Sequence, residues 1–336
     1  MENRFRVRTD PGAAYPETAA LRTALKSGDW PTARTLLDGA APAARTTLMI
    51  TAQNTARADR VLDGVLAADP SDPTAAAMLG FHRIGTAWRI RTSAQARQVS
   101  RRRFRRFHAE LHRAEEVLAT GLGHTPDDPA ILTATLTTAR GLQMGLPVAR
   151  GRYERLAAVD PNHLPAQSTM LQQLCPKWGG RWDLVHAFSR EAMAGAPPGS
   201  PNAVLVADAY LEQYPEGGRN FMSSPYVRDA VTEAAHASVL HPDFRREPGW
   251  VQVMNTFAMA FSLAGDRESA AAMFTALGPY ATLRPWSYEG DSVAVFRRSR
   301  ALAFGWSGPS VADWLLAGLG TVARRDVLAL FTSAWR

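Results

Sequence analysis

The chain has one cysteine, two lysines and no long apolar run, and each shortage excludes something. A lone Cys175 can close no internal disulfide and no multi-cysteine metal site, which suits a reducing compartment. Residues 311–323 are the most apolar stretch near the end, but they contain Asp313 and fall well short of the ~20 residues that span a bilayer. The N-terminus has arginines without an apolar run behind them, and Asp10 and Pro11 occupy the place of a signal-peptide core. A cytoplasmic chain without a membrane role is therefore expected. Phosphate-binding glycine frames are missing too: Gly179-Gly180 follows a tryptophan and fits neither GxxxxGKS nor GxGxxG, and no GxSxG elbow occurs. No cofactor is expected. Because lysine is so scarce, the net charge of +7 rests almost wholly on 36 arginines, and it favours anionic over cationic partners.

What is present is a recurring helical frame. A small residue is followed by an apolar residue four on and another three further, with proline about twelve on. Ala270, Phe274 and Leu277 show it after Gly265, with Phe257, Ala258 and Phe261 on the partner helix. The frame returns at Ala33, Leu37 and Ala40, and at Ala58, Leu62 and Val65 before Pro70. It continues at Ala114, Leu118 and Gly121 before Pro126, at Ala149, Tyr153 and Leu156 before Pro161, and at Ala230, Ala234 and Ala237 before Pro242. These positions resemble the tetratricopeptide repeat, a helix-turn-helix unit of ~34 residues in which small residues let two helices approach closely. The strings GDWPTARTLL, AWRIR, FRRFH, DPNHLPA and KWGGRW resemble a group of tetratricopeptide-like proteins from actinomycetes.

The resemblance implies an all-α fold: a right-handed superhelical array of degenerate tetratricopeptide-like hairpins over residues 16–283, whose concave face binds peptides or partner proteins. Residues 1–15 are expected to be a flexible N-terminal segment, and 284–336 a helical cap ending in a hairpin of 311–316 with 322–335. Two departures from the period mark places for specialisation. One is an insertion near 85–107 that carries Trp88, Arg89 and Arg91. The other is LCPKWGGRWDLVH at 174–186, which carries Lys177, Trp178, Trp182 and His186. In a chain that spells nearly every base as arginine, Lys177 stands out as a compact ammonium suited to a carboxylate or to proton transfer.

Other clusters are read more plainly. Arg101, Arg102, Arg103, Arg105 and Arg106 surround Phe104 and Phe107, which continue an apolar stripe, so the rings belong to the core. The arginines are expected to be a solvated face neutralised by Glu110, Glu115 and Glu116, and nucleic acid is the weaker partner because no aromatic is left for base stacking. His108 and His112 share a helix face but lack a third ligand, so no metal is expected. The leading reading is a scaffold that binds a protein or peptide, or a small acidic molecule, through carboxylate groups. Its ligand residues are Trp88, Arg89, Arg91, Lys177, Trp178, Trp182 and His186. The alternative is an enzyme or small-molecule-binding protein of actinomycete specialised metabolism, with Lys177, Trp182 and His186 forming the pocket.

Overall fold

The computed structural model describes residues 7–92 and 99–305. They form fifteen α-helices and no strand. These are α1 (Pro16–Ser27), α2 (Trp30–Asp38), α3 (Pro42–Ala52), α4 (Ala58–Ala68), α5 (Pro73–Arg91), α6 (Arg101–His124), α7 (Pro129–Gly141) and α8 (Leu146–Val159), followed by α9 (Leu164–Leu174), α10 (Trp182–Ala194), α11 (Val204–Met222), α12 (Pro225–Ala237), α13 (Trp250–Ala264), α14 (Arg267–Leu277) and α15 (Ser292–Ala303). No helix among the described residues is long and apolar enough to cross a membrane.

Asp-Pro pairs start several of these helices. The Asp72 carboxylate accepts from the Ala75 amide at 2.9 Å, and Asp128 accepts from Ala130 and Ile131, while the following proline fills a position that needs no amide donor. Glycines stop others: Gly28 and Gly265 take left-handed backbone, both at φ 79°, which any β-carbon would strain.

Successive helices pack as hairpins, α1 with α2, α5 with α6, α7 with α8, α11 with α12 and α13 with α14. The small residues of the recurring frame are buried on these helices, Ala33, Ala114, Ala149 and Ala270 within the hairpins and Ala58 on α4, which packs against α5. On α12 the register is different. Val227, Val231 and Ala234 are buried while Ala230 is half-buried, because the larger valines displace alanine from the contact face. The insertion near 85–107 lengthens both helices of one hairpin, α5 to 19 residues and α6 to 24.

One helix leaves the hairpin pattern. α3 packs against α1, α2, α5, α7 and α9, and it is pinned at the starts of the last three. Arg45 donates to Asp128 at 2.8 Å and to the Thr74 hydroxyl at 2.9 Å, and His163 at the start of α9 meets the Thr46 hydroxyl at 3.1 Å. The chain also meets itself. The Arg8 amide donates to the Pro279 carbonyl, the Ala281 amide donates to the Arg8 carbonyl, both at 2.8 Å, and the Val251 amide donates to the Tyr15 hydroxyl at 3.2 Å. The segment expected to be flexible is thus tied to the residues after α14 at Arg8. At the other end Trp286 is fully buried between Phe274 and Phe296 and donates to Asn255 at 2.7 Å. The hairpin expected over 311–335 lies outside the described residues.

Arg45 and Asp128 are 11% and 8% exposed, so removing either partner strands a charge away from water. The Arg45→Ala variant is expected to lose about 3–5 kcal/mol of stability in urea denaturation. A paired Arg45→Met and Asp128→Asn variant, which keeps a capping oxygen on α7, should lose markedly less.

Candidate functional site

With α3 in place, a cavity of about 610 Å³ opens between α3, α9, α11 and α13. Ile50, Leu164, Val204, Trp250 and Val253 give it apolar walls. Into those walls project a few polar groups, chief among them Arg140, Gln172, Asp208 and Thr256. An apolar cleft with a few convergent polar groups is the usual form of a binding site.

Arg140 comes from the last turn of α7, where the carbonyl end of a helix favours a cation. Its guanidinium donates to the Thr169 carbonyl at 3.2 Å and lies 6.0 Å from the Trp88 ring centre and 5.8 Å from that of Trp178. The two tryptophans meet edge to face at 6.3 Å. Burial pushes the guanidinium down to about 10, and nearby Arg284 acts the same way, so it stays charged at neutral pH. No carboxylate among the described residues forms an ion pair with it.

Asp208 and Glu212 are one turn apart on α11, and their surroundings drive them in opposite directions. For Glu212, burial raises the carboxyl, but the Lys177 ammonium and hydrogen bonds from Lys177, Tyr288 and Gln172 outweigh it, leaving it below the ordinary range. Arg284 adds a longer contact at 3.5 Å. Asp208 has only the Thr256 hydroxyl, donating at 3.2 Å. Burial, followed by the Glu212 charge, pushes it up to about 7. Part of each of Arg140 and Asp208 still opens to the cavity although both lie deep in the protein.

The seven residues expected to share one site divide into separate groups, and none of them lines the cavity. Trp88, Arg91 and Trp178 come together: Arg91 lies 5.5 Å over the Trp88 ring, and both tryptophans back Arg140. Lys177 joins this region through Glu212, which also accepts from the cavity residue Gln172 and from Tyr288. Trp182 donates to Glu216 at 2.8 Å and His186 meets Gln213 at 2.7 Å, both across the α10–α11 contact. Burial lowers the His186 imidazole, opposed by the Gln213 hydrogen bond. Arg89 turns outward and donates to Thr86 at 2.9 Å. The turn before α10 needs its glycine: a β-carbon on Gly180 would sit 1.8 Å from the Leu174 carbonyl oxygen. Cys175 caps α9 fully buried, and burial pushes its thiol up to about 12, so it is no nucleophile. His108 and His112 gain no third ligand, and no metal-binding cluster occurs among the described residues.

The residues that do line the polar end of the cavity, Arg140 and Asp208, carry a signal in the sequence. Each is the one charge in an otherwise uncharged stretch of its helix, ILTATLTTARG and VLVADAYL, where charges are rarely buried without a reason. No family model matches the chain, and no curated protein matches it.

Asp208 allows a signed pH test. Between its ordinary value of 3.8 and about 7, the folded state holds a proton that the unfolded chain has released. Stability therefore falls as pH rises through that window, by at most roughly 4 kcal/mol at ~1.4 kcal/mol per pKa unit. Urea denaturation near pH 5 and pH 8 should show this loss in the wild type and its absence in Asp208→Asn, which is expected to be the more stable protein at the higher pH. Equal pH slopes for the two would refute the assignment.

Proposed function

We propose that the protein is a binding scaffold, a tetratricopeptide-like superhelical array of helix hairpins, that takes a carboxylate-bearing ligand into the cavity beside α3, with Arg140 as its anchor. The observation that carries this reading is a charged guanidinium set deep in the protein, lining a cavity and ion-paired with no carboxylate among the described residues. Leaving such a cation in low dielectric is costly, and a ligand carboxylate offsets that cost with short, charge-assisted hydrogen bonds. Trp88 and Trp178 lie against the guanidinium and the Thr169 carbonyl accepts from it, so the side chain is already positioned and less entropy is lost on binding.

Asp208, at the same polar end, is poised between carboxyl and carboxylate at neutral pH, so it can donate to or accept from a second polar atom of the ligand. The apolar walls suit aliphatic or aromatic side chains on the rest of the ligand. A partner's chain terminus or acidic side chain fits this description best, since the cavity is open to solvent along one side rather than closed. A free small acid offers the same carboxylate, and the two sources separate in one experiment. Lys177 and His186 do not enter this reading as proton-transfer groups, because their polar atoms are held by Glu212 and Gln213.

Peptide mixtures with free and amidated C-termini, alongside short aliphatic and aromatic acids, can be compared by affinity selection and then calorimetry. Free-carboxylate peptides are expected to bind, and Arg140→Gln to weaken them at least tenfold, in line with the ~1.5–3 kcal/mol of a charged hydrogen bond. Binding by small acids alone would reassign the ligand, whereas amidated and free peptides binding alike would remove Arg140 from the role.

A further inference from the structure

The first half of α6 presents Arg101, Arg102, Arg103, Arg105 and Arg106, and all five are exposed. Among the described residues none of them reaches a carboxylate. The acids expected to neutralise them are engaged elsewhere or lie too far along the helix. Glu110 pairs with Arg113 at 2.6 Å and lies 3.9 Å from Arg83, and Glu115 forms a two-pronged pair with Arg152 at 2.7 and 2.8 Å. Glu116 is exposed more than two turns beyond Arg106. The cluster also opposes its own helix. The amino end of α6 carries positive partial charge, no acidic residue stands in its first turn, and three arginines do. Among the described residues nothing relieves the repulsion on this face, which an external anion would.

The chemistry of the surface narrows that anion. Four of the arginines, at 101, 102, 105 and 106, point opposite the stripe of Phe107, Leu111, Ala114 and Leu118 that α6 buries. Their i, i+4 spacing sets them in two short parallel rows with a rise of ~6 Å between members. The face has no apolar centre: Phe107 is buried, and Phe104 is half-buried with Arg91 6.0 Å over its ring. Protein interfaces place aromatic and aliphatic side chains at their middle, and interfacial membrane helices keep an apolar face free for lipid, so this surface resembles neither. Single-stranded nucleic acid needs exposed rings for stacking, which are also missing. A rigid cationic row with no apolar or stacking element matches the phosphate backbone of a duplex, which dominates affinity without being read for sequence. The chain's net charge of +7 adds long-range attraction of the same sign.

We infer that the outer face of α6 is a docking surface for duplex nucleic acid, bound through its phosphates without sequence preference. This inference rests on the helix surface alone and stands apart from the cavity. Fluorescence anisotropy of the full chain with labelled duplex DNA and duplex RNA, titrated over salt, tests it. Poly-glutamate and vesicles containing phosphatidylserine serve as competing polyanions. The wild type is expected to bind at least one duplex, with a log–log salt slope of about −3 to −4 at ~0.9 per phosphate contact. Arg102→Gln with Arg106→Gln should flatten that slope by about 2, and adding Arg101→Gln and Arg105→Gln should abolish it. All four side chains are exposed, so thermal melting of the variants should match the wild type or exceed it. Tighter binding to poly-glutamate or vesicles than to either duplex overturns the proposal, as does a salt slope that the double variant leaves unchanged.

Discussion

Arg45 brings a guanidinium to a place that is barely open to solvent, where Asp128 and Thr74 accept its hydrogen bonds and Asp38 lies 4.0 Å away. A buried ion pair gains little over a well-packed apolar contact, but breaking one is expensive, so its chief effect is to specify position. Here the position is that of α3. Because the acid also caps α7 and the hydroxyl belongs to the first turn of α5, Arg45 fixes α3 against the starts of two helices at once, and His163 adds a third at α9. α3 is thereby laid against the starts of α5, α7 and α9, with one side toward α11 and α13. What stays open on that side is the cavity, and its polar end is whatever α7, α9 and α11 project there.

The charges at that end show how far a few contacts decide ionisation. Glu212 and Asp208 share one helix, one turn and similar depth, so burial penalises both. Glu212 meets an ammonium and two further donors, and they win. Asp208 meets one hydroxyl and the repulsion of Glu212, and burial wins. Lys177, the side chain that drew attention as a rare lysine, is consumed in settling Glu212. Its role is to let an ionised carboxylate exist behind the cavity, where it in turn steadies Gln172 and Tyr288. Arg140 is the group left without such a settlement.

Much of the fold could be read from the residues because its signals are local and periodic. Small residues such as Ala33 and Ala114 are buried on their helices, glycines such as Gly265 mark ends, and Trp88 and Trp178, one from each of the 85–107 and 174–186 departures, lie behind Arg140 without lining the cavity. The displacement of α3 was not legible, since it depends on pairs 83 and 117 residues apart, Arg45 with Asp128 and Thr46 with His163. The site was half legible for the same reason. Rarity singled out Trp88, Trp178 and Lys177, which form the backing, whereas Arg140 is one arginine among 36 and only its apolar surroundings distinguish it. Expecting the α6 arginines to be neutralised by neighbouring glutamates failed because Glu115 faces inward to Arg152 and Thr138 rather than along the surface.

The central claim is that Arg140 is a charged guanidinium held in reserve for a carboxylate from outside the chain. Nitrogen-15 NMR of the arginine side chains, with the Arg140 signal assigned by its disappearance in Arg140→Lys, measures this directly. Arg140 is predicted to give a slow-exchanging, charged signal in the free protein that shifts downfield when a free-carboxylate peptide is added and stays put with the amidated one. An Arg140 signal that is indifferent to both peptides, while arginines elsewhere respond, would contradict the account.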